Sequence, residues 1–131
     1  MNVNNIILID DDSISNLINQ YIINACVPNH QLLICNSPLK GLECVMRLLN
    51  DNNSKSIVLL DIRMPELSGW ELLDQLKPFA NALSQNFRIY MLSSSIDPKD
   101  LRRANKHELV TGFFEKPLTA ENMMALSKID F

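Results

Sequence analysis

The sequence predicts an α/β fold in which a parallel β-sheet is covered by helices. Three observations carry this. Five short uncharged runs, mostly apolar, recur at residues 6–9, 32–35, 57–60, 89–92 and 110–114. Each is four or five residues long, and continuous apolarity at that length suits strands buried on both faces. Segments with helical period or helix-start residues lie between them, so a β-α unit repeats five times. Such a repeat closes through right-handed crossovers between parallel strands.

The helices follow in order. Ile14, Leu17, Ile18, Tyr21, Ile22 and Ala25 fall at i, i+3, i+4, i+7, i+8 and i+11, one apolar stripe. Leu39, Leu42, Val45, Met46 and Leu49 form a second, with Ser37 as N-cap and Pro38 at the first helical position. A third helix runs from about Gly69 through Trp70, Leu72, Leu73 and Leu76; Pro78 leaves its end open. Asp97-Pro98 starts a fourth, and Thr119 caps a short fifth.

Length and composition bound the function. The 131 residues make one domain, 1–131, with 47% hydrophobic and 21% charged residues, as in ordinary globular chains. A net charge of −3 argues against direct nucleic-acid binding. The N-terminus lacks the basic start of a signal peptide, and no apolar run reaches the ~18 residues of a membrane span. A cytoplasmic protein without membrane contact is expected. Cys26, Cys35 and Cys44 include no C-x-x-C pair and read as buried thiols in a reducing compartment.

Ligands in parallel α/β sheets sit beyond the carboxyl ends of the strands. There the sequence places Asp10, Asp11 and Asp12 after strand one and Asp61 after strand three. Ser93, Ser94 and Ser95 follow strand four, and Lys116-Pro117 follows strand five. Crowded carboxylates are costly to ionise without a counter-charge. A hard divalent cation relieves that cost, and Mg²⁺ favours one or two carboxylates with waters and phosphate oxygens. A carboxylate beside it can act as a nucleophile toward phosphorus. Lys116 and a serine hydroxyl would hold phosphate oxygens. Taken singly, these residues read as helix caps, turns and a strand exit; their joint order at four strand ends points to a phosphoryl site.

The segments IILIDDD, LLDIRMP, MLSSS and FFEKP resemble the signature segments of response-regulator receiver domains, in the same order and spacing, from about residue 5 to 127. The resemblance implies a flavodoxin-like, doubly wound five-stranded sheet of order 2-1-3-4-5 with five helices. It implies that Asp61 accepts a phosphoryl group from a sensor histidine kinase or phosphotransfer protein. It also implies that Asp10 and Asp11, with Asp61 and the backbone carbonyl of Arg63, bind Mg²⁺. Lys116 pairs with the phosphate, Ser93 is the switch hydroxyl, Phe113 is the switch aromatic, and the Lys116–Pro117 peptide is cis. Asp12 lies beyond the acidic pair and reads as a helix-start residue. Ser93 stands where Thr is common, and the stretch 77–87 is slightly long for a receiver.

Such a domain is a regulatory phosphoacceptor and not an enzyme; it catalyses only its own phosphotransfer and dephosphorylation. Two alternatives stand beside it. One is a degenerate receiver used as a scaffold, whose mark would be loss of Asp61, the acidic pair or Lys116; all are present. The other is an aspartate-dependent phosphohydrolase of the haloacid dehalogenase type, with Asp10 as nucleophile and Asp12 as acid/base. It lacks an acidic pair after the lysine and leaves Asp61 without a role. The chain is expected to be a stand-alone receiver.

Lys99, Arg102, Arg103 and Lys106 fall at i, i+3, i+4 and i+7 on the fourth helix, with Leu101 and Ala104 turned toward the sheet. Receivers similar to this one signal through the fourth helix, fifth strand and fifth helix. The basic stripe is therefore expected to be an output face for an acidic downstream protein, or for a homodimer formed on phosphorylation.

Overall fold

The computed structural model describes residues 3–27 and 29–131. Its strands are β1 (Asn5–Ile9), β2 (Gln31–Cys35), β3 (Ser56–Asp61), β4 (Phe87–Ser93) and β5 (Val110–Glu115). The helices are α1 (Ser13–Cys26), α2 (Pro38–Leu49), α3 (Gly69–Leu76), α4 (Ala80–Asn86), α5 (Pro98–Lys106) and α6 (Ala120–Ser127). All strand pairs are parallel, in the order β2-β1-β3-β4-β5. This is the expected sheet.

Successive strand residues point to opposite faces, and two cores result. Ile7, Ile9, Val58, Leu60, Ile89 and Met91 face Val45, Trp70, Leu73, Leu83 and Ala104, on α2 to α5. Ile6, Leu8, Ile57, Leu59, Tyr90 and Leu92 face Ile23, Met123 and Leu126, on α1 and α6. The three inner strands are buried on both faces almost throughout. The outer two are not: in β2 Leu32 and Leu33 are half-buried and Ile34 is exposed, and no residue of β5 is fully buried. An edge strand has a neighbour on one side only and thinner helix cover.

The third crossover is broken. A 3-10 turn, Lys77–Phe79, separates α3 from α4. Pro78 has no N–H for an i→i−4 bond, so the ladder stops there and restarts. The five expected helical segments are thus present, four as crossovers and one after β5, with the third crossover holding two helices; the expected fourth and fifth helices are α5 and α6.

The expected caps are in place. Asp12, Ser37, Asp97 and Thr119 each accept backbone N–H bonds at the starts of α1, α2, α5 and α6. The face of α1 is a departure. Its apolar stripe lies outward, with Leu17 68% and Tyr21 76% exposed, while Asn16, Asn19 and Ile23 are buried. The asparagines face in because they satisfy backbone groups at the strand ends. Asn16 Nδ2 donates to the Asp10 carbonyl at 2.8 Å, and Asn19 Oδ1 accepts from Leu118 N at 2.9 Å. Buried backbone groups need such partners. The same rotation leaves Cys26 exposed, correcting the expectation of three buried thiols; Cys35 and Cys44 are buried.

Candidate functional site

Register assembles the site. Ile9 pairs with Leu60, so the next residues, Asp10 and Asp61, stand side by side. Asp61 pairs with Leu92, and Ser93 pairs with Glu115, which brings Ser93 and Lys116 to the same rim. The Lys116 N–H donates to the Ser93 carbonyl at 2.8 Å, and the Lys116–Pro117 peptide is cis. Gly69, at the start of α3, is needed for close approach: a Cβ there would lie 2.5 Å from the Asp61 carbonyl oxygen.

Asp10 is fully buried, and both its carboxylate oxygens accept hydrogen bonds. Its Oδ1 accepts from Asp12 N at 2.9 Å; its Oδ2 accepts from Ser15 Oγ and Lys116 Nζ, each at 2.8 Å. Burial by itself would raise its pKa, but the bonds from Lys116, Asp12 and Ser15 outweigh burial and hold it below the usual value. Lys116 answers in kind: burial opposes its charge, yet Asp10 and Asp61 raise its pKa.

Asp61 is buried and less well compensated. Its Oδ2 lies 3.5 Å from Lys116 Nζ, and its Oδ1 accepts a long bond from Arg63 N at 3.4 Å. Burial and the Asp10 charge push its carboxyl up to about 7, with Lys116 offsetting only part. Asp11 is exposed at the mouth, and one carboxylate oxygen from each of Asp10, Asp11 and Asp61 lies within 4.8 Å of the others. A cavity of about 220 Å³ opens over Asp11, Asp61, Arg63, Ser93 and Lys116. Three carboxylates facing one ammonium leave excess negative charge on a set of oxygen donors. That set fits a hard divalent cation such as Mg²⁺.

The other expected site residues are placed as follows. Ser93 is buried, and its hydroxyl donates to the Ser95 carbonyl at 2.7 Å and accepts from Ser95 N at 3.3 Å, closing a turn at the cavity edge. Phe113 is half-buried against the core under α2 to α5. Asp12 Oδ1 accepts from Ile14 N and Ser15 N. It is thus the expected helix-start residue, capping α1 through one carboxylate oxygen. Lys99, Arg102, Arg103 and Lys106 are all exposed on α5. Ala104 faces in as expected, but Leu101 does not, at 38% exposure. The Arg103 guanidinium lies 4.6 Å over the Trp70 ring.

Sequence reasoning missed Ser15, Asn16 and Asn19 as supports of the site because they sit on the polar side of an apolar stripe. It also missed Asp100, whose carboxylate accepts from Arg63 Nη2 at 3.0 Å and from Trp70 Nε1 at 3.2 Å. No local pattern marks that contact, since its partners lie 37 and 30 residues away.

The sequence matches the family described as response regulator receiver domain over residues 6–128. No curated protein matches it. A two component response regulator from Cytophaga hutchinsonii is similar in structure, with TM-score 0.87 and 30% identity, covering 97% of this chain and 96% of that one. A response regulator receiver protein from Dyadobacter fermentans has TM-score 0.81 at 19% identity, covering 96% of each chain. A CheY-like receiver domain protein from Methanospirillum hungatei has TM-score 0.67 at 22% identity, covering 94% of this chain and 90% of that one. At those lower identities the last two speak for the fold alone.

Proposed function

This chain belongs to the response regulator receiver domain family, and from that premise we propose that it is a phosphoacceptor switch working through Asp61. The observation that supports this best is the convergence of Asp10, Asp11 and Asp61 within 4.8 Å, with Lys116 between Asp10 and Asp61.

An Asp61 carboxylate oxygen attacks the phosphorus of a phosphohistidine or a small acyl phosphate. The new P–O bond forms as the bond to the donor breaks, and the donor leaves with its electron pair. Lys116 neutralises charge on the transferred group and holds Asp10 in place. Asp10, Asp11, Asp61 and the Arg63 carbonyl are the residues that would hold Mg²⁺, which when bound would neutralise phosphate charge.

The donor is a histidine kinase or phosphotransfer protein. The exposed apolar stripe of α1 supports this: Ile14 and Ile18 flank a hollow shared with Lys116 and Pro117, beside the phosphoacceptor. An exposed apolar patch rimmed by polar residues marks an interaction site, and its place beside the phosphoacceptor fits a protein donor. Once phosphate is in place, the Ser93 hydroxyl leaves the Ser95 carbonyl for a phosphate oxygen, and Phe113 repacks beneath α5. The output face is the basic stripe of α5, read by an acidic partner or by a second copy of the chain. The domain acts in the cytoplasm and catalyses only its own phosphotransfer and dephosphorylation.

Incubation with Mg²⁺ and acetyl phosphate, followed by peptide mass spectrometry, tests the reading. Phosphate on the peptide holding Asp61, absent from Asp61→Asn, is the expected result. Labelling of Asp61→Asn at the wild-type rate would overturn it.

A further inference from the structure

Arg63 stands two residues after Asp61 and lines the same cavity. Its guanidinium nevertheless points to α5. Nη2 donates to Asp100 Oδ2 at 3.0 Å, while Asp100 Oδ1 accepts from the Trp70 indole at 3.2 Å. The Asp100 side chain is 15% exposed and that of Arg63 58%, so the carboxylate is the packed partner and the guanidinium the solvent-facing one. Trp70 is itself buried and lies under the Arg103 guanidinium, which closes the group from above.

A guanidinium next to an under-compensated acidic cluster has another place to go. Asp11 and Asp61 share the cavity with Arg63, and Lys116 is committed chiefly to Asp10, at 2.8 Å against 3.5 Å to Asp61. Arginine binds carboxylates through a planar fork of donors. If released, it would fold onto Asp11 and Asp61 and compete with a divalent cation for the same oxygens.

We propose that Asp100 is a positioning residue: it holds Arg63 out of the acidic site and so keeps Asp11 and Asp61 open to a divalent cation. This rests on the receiver reading of the site, and it concerns a contact that the reading itself does not require.

The test is a double-mutant cycle on Mg²⁺ binding, read from NMR shifts at residues 10–12 and 61–64 rather than from phosphorylation. Asp100→Asn should weaken Mg²⁺ binding about fivefold, a typical size for residues coupled by direct contact. Asp100→Asn combined with Arg63→Met should bind within about twofold of Arg63→Met alone, because no guanidinium is left to release. Asp100→Glu should bind as wild type does. If Asp100→Asn weakens binding by the same factor with and without Arg63→Met, Asp100 acts only through its charge and the proposal fails. Asp100→Ser supplies the same cycle should Asp100→Asn not fold. A wild-type chain whose site resonances ignore millimolar Mg²⁺ overturns the receiver reading as well, and is distinct from an additive cycle.

Discussion

Lys116 and Asp10 form an ion pair at 2.8 Å, with the Asp10 side chain wholly shielded from water and that of Lys116 only 11% exposed. The lysine therefore does structural work before any phosphate arrives. Removing one member of a buried pair strands the other, so Lys116→Met should lower the unfolding free energy by about 3 kcal/mol. Urea unfolding measures this, and a loss under about 0.5 kcal/mol would mean that water already serves Asp10.

The raised Asp61 carboxyl makes stability depend on pH. Its usual value is 3.8 and burial beside Asp10 lifts it to about 7, so the folded state binds this proton more tightly than the unfolded state does. Stability then falls as pH rises between those two values. Asp61→Asn removes that slope, and above neutral pH it should be more stable than wild type by about 2 kcal/mol, part of the full linkage value. Near pH 4 the two proteins should converge. Thermal unfolding across this range without Mg²⁺ checks the sign.

The rotation of α1 makes two opposite predictions on one helix. Ile23 is fully buried, and Ile23→Ala should cost about 2–4 kcal/mol. Leu17 is exposed, and Leu17→Ser should change stability by less than about 0.5 kcal/mol. Denaturant midpoints of the two variants decide the orientation.

Gly69→Ala would place a Cβ against the Asp61 carbonyl, an atom of backbone with no freedom to yield. Overpacking of that kind costs about 1–3 kcal/mol. The backbone shift should appear as changed amide resonances at Asp61 and Ile62, since Gly69 N donates to the Ile62 carbonyl at 2.8 Å.

Arg102→Glu with Arg103→Glu should leave labelling of Asp61 by acetyl phosphate nearly unchanged and weaken self-association or binding to an acidic target. Charges at a rim act mainly on association rate, and salt screens them. Cross-linking at low and high salt measures it. Trp70 fluorescence should also change, because Arg103 covers the ring.

What the sequence alone determined is whatever rests on short range. Strand cores announce themselves by continuous apolarity. The caps Asp12, Ser37, Asp97 and Thr119 bond N–H groups two or three residues ahead, so a few letters suffice to find them. Strand order puts residues at the strand ends together, so the convergence of Asp10, Asp61, Ser93 and Lys116 was legible too. Tertiary structure decided which face of a helix is buried and which partner a side chain takes. Periodicity shows that α1 has an apolar stripe but not where it points; Asn16 and Asn19 turn it outward because the Asp10 carbonyl and the Leu118 N–H need partners there. Likewise Asp100 reads as a first-turn acid of α5, and only the packing of α5 against the β3–α3 loop makes it the acceptor for Arg63 and Trp70. Such contacts join residues far apart in the chain, and local pattern holds no record of them.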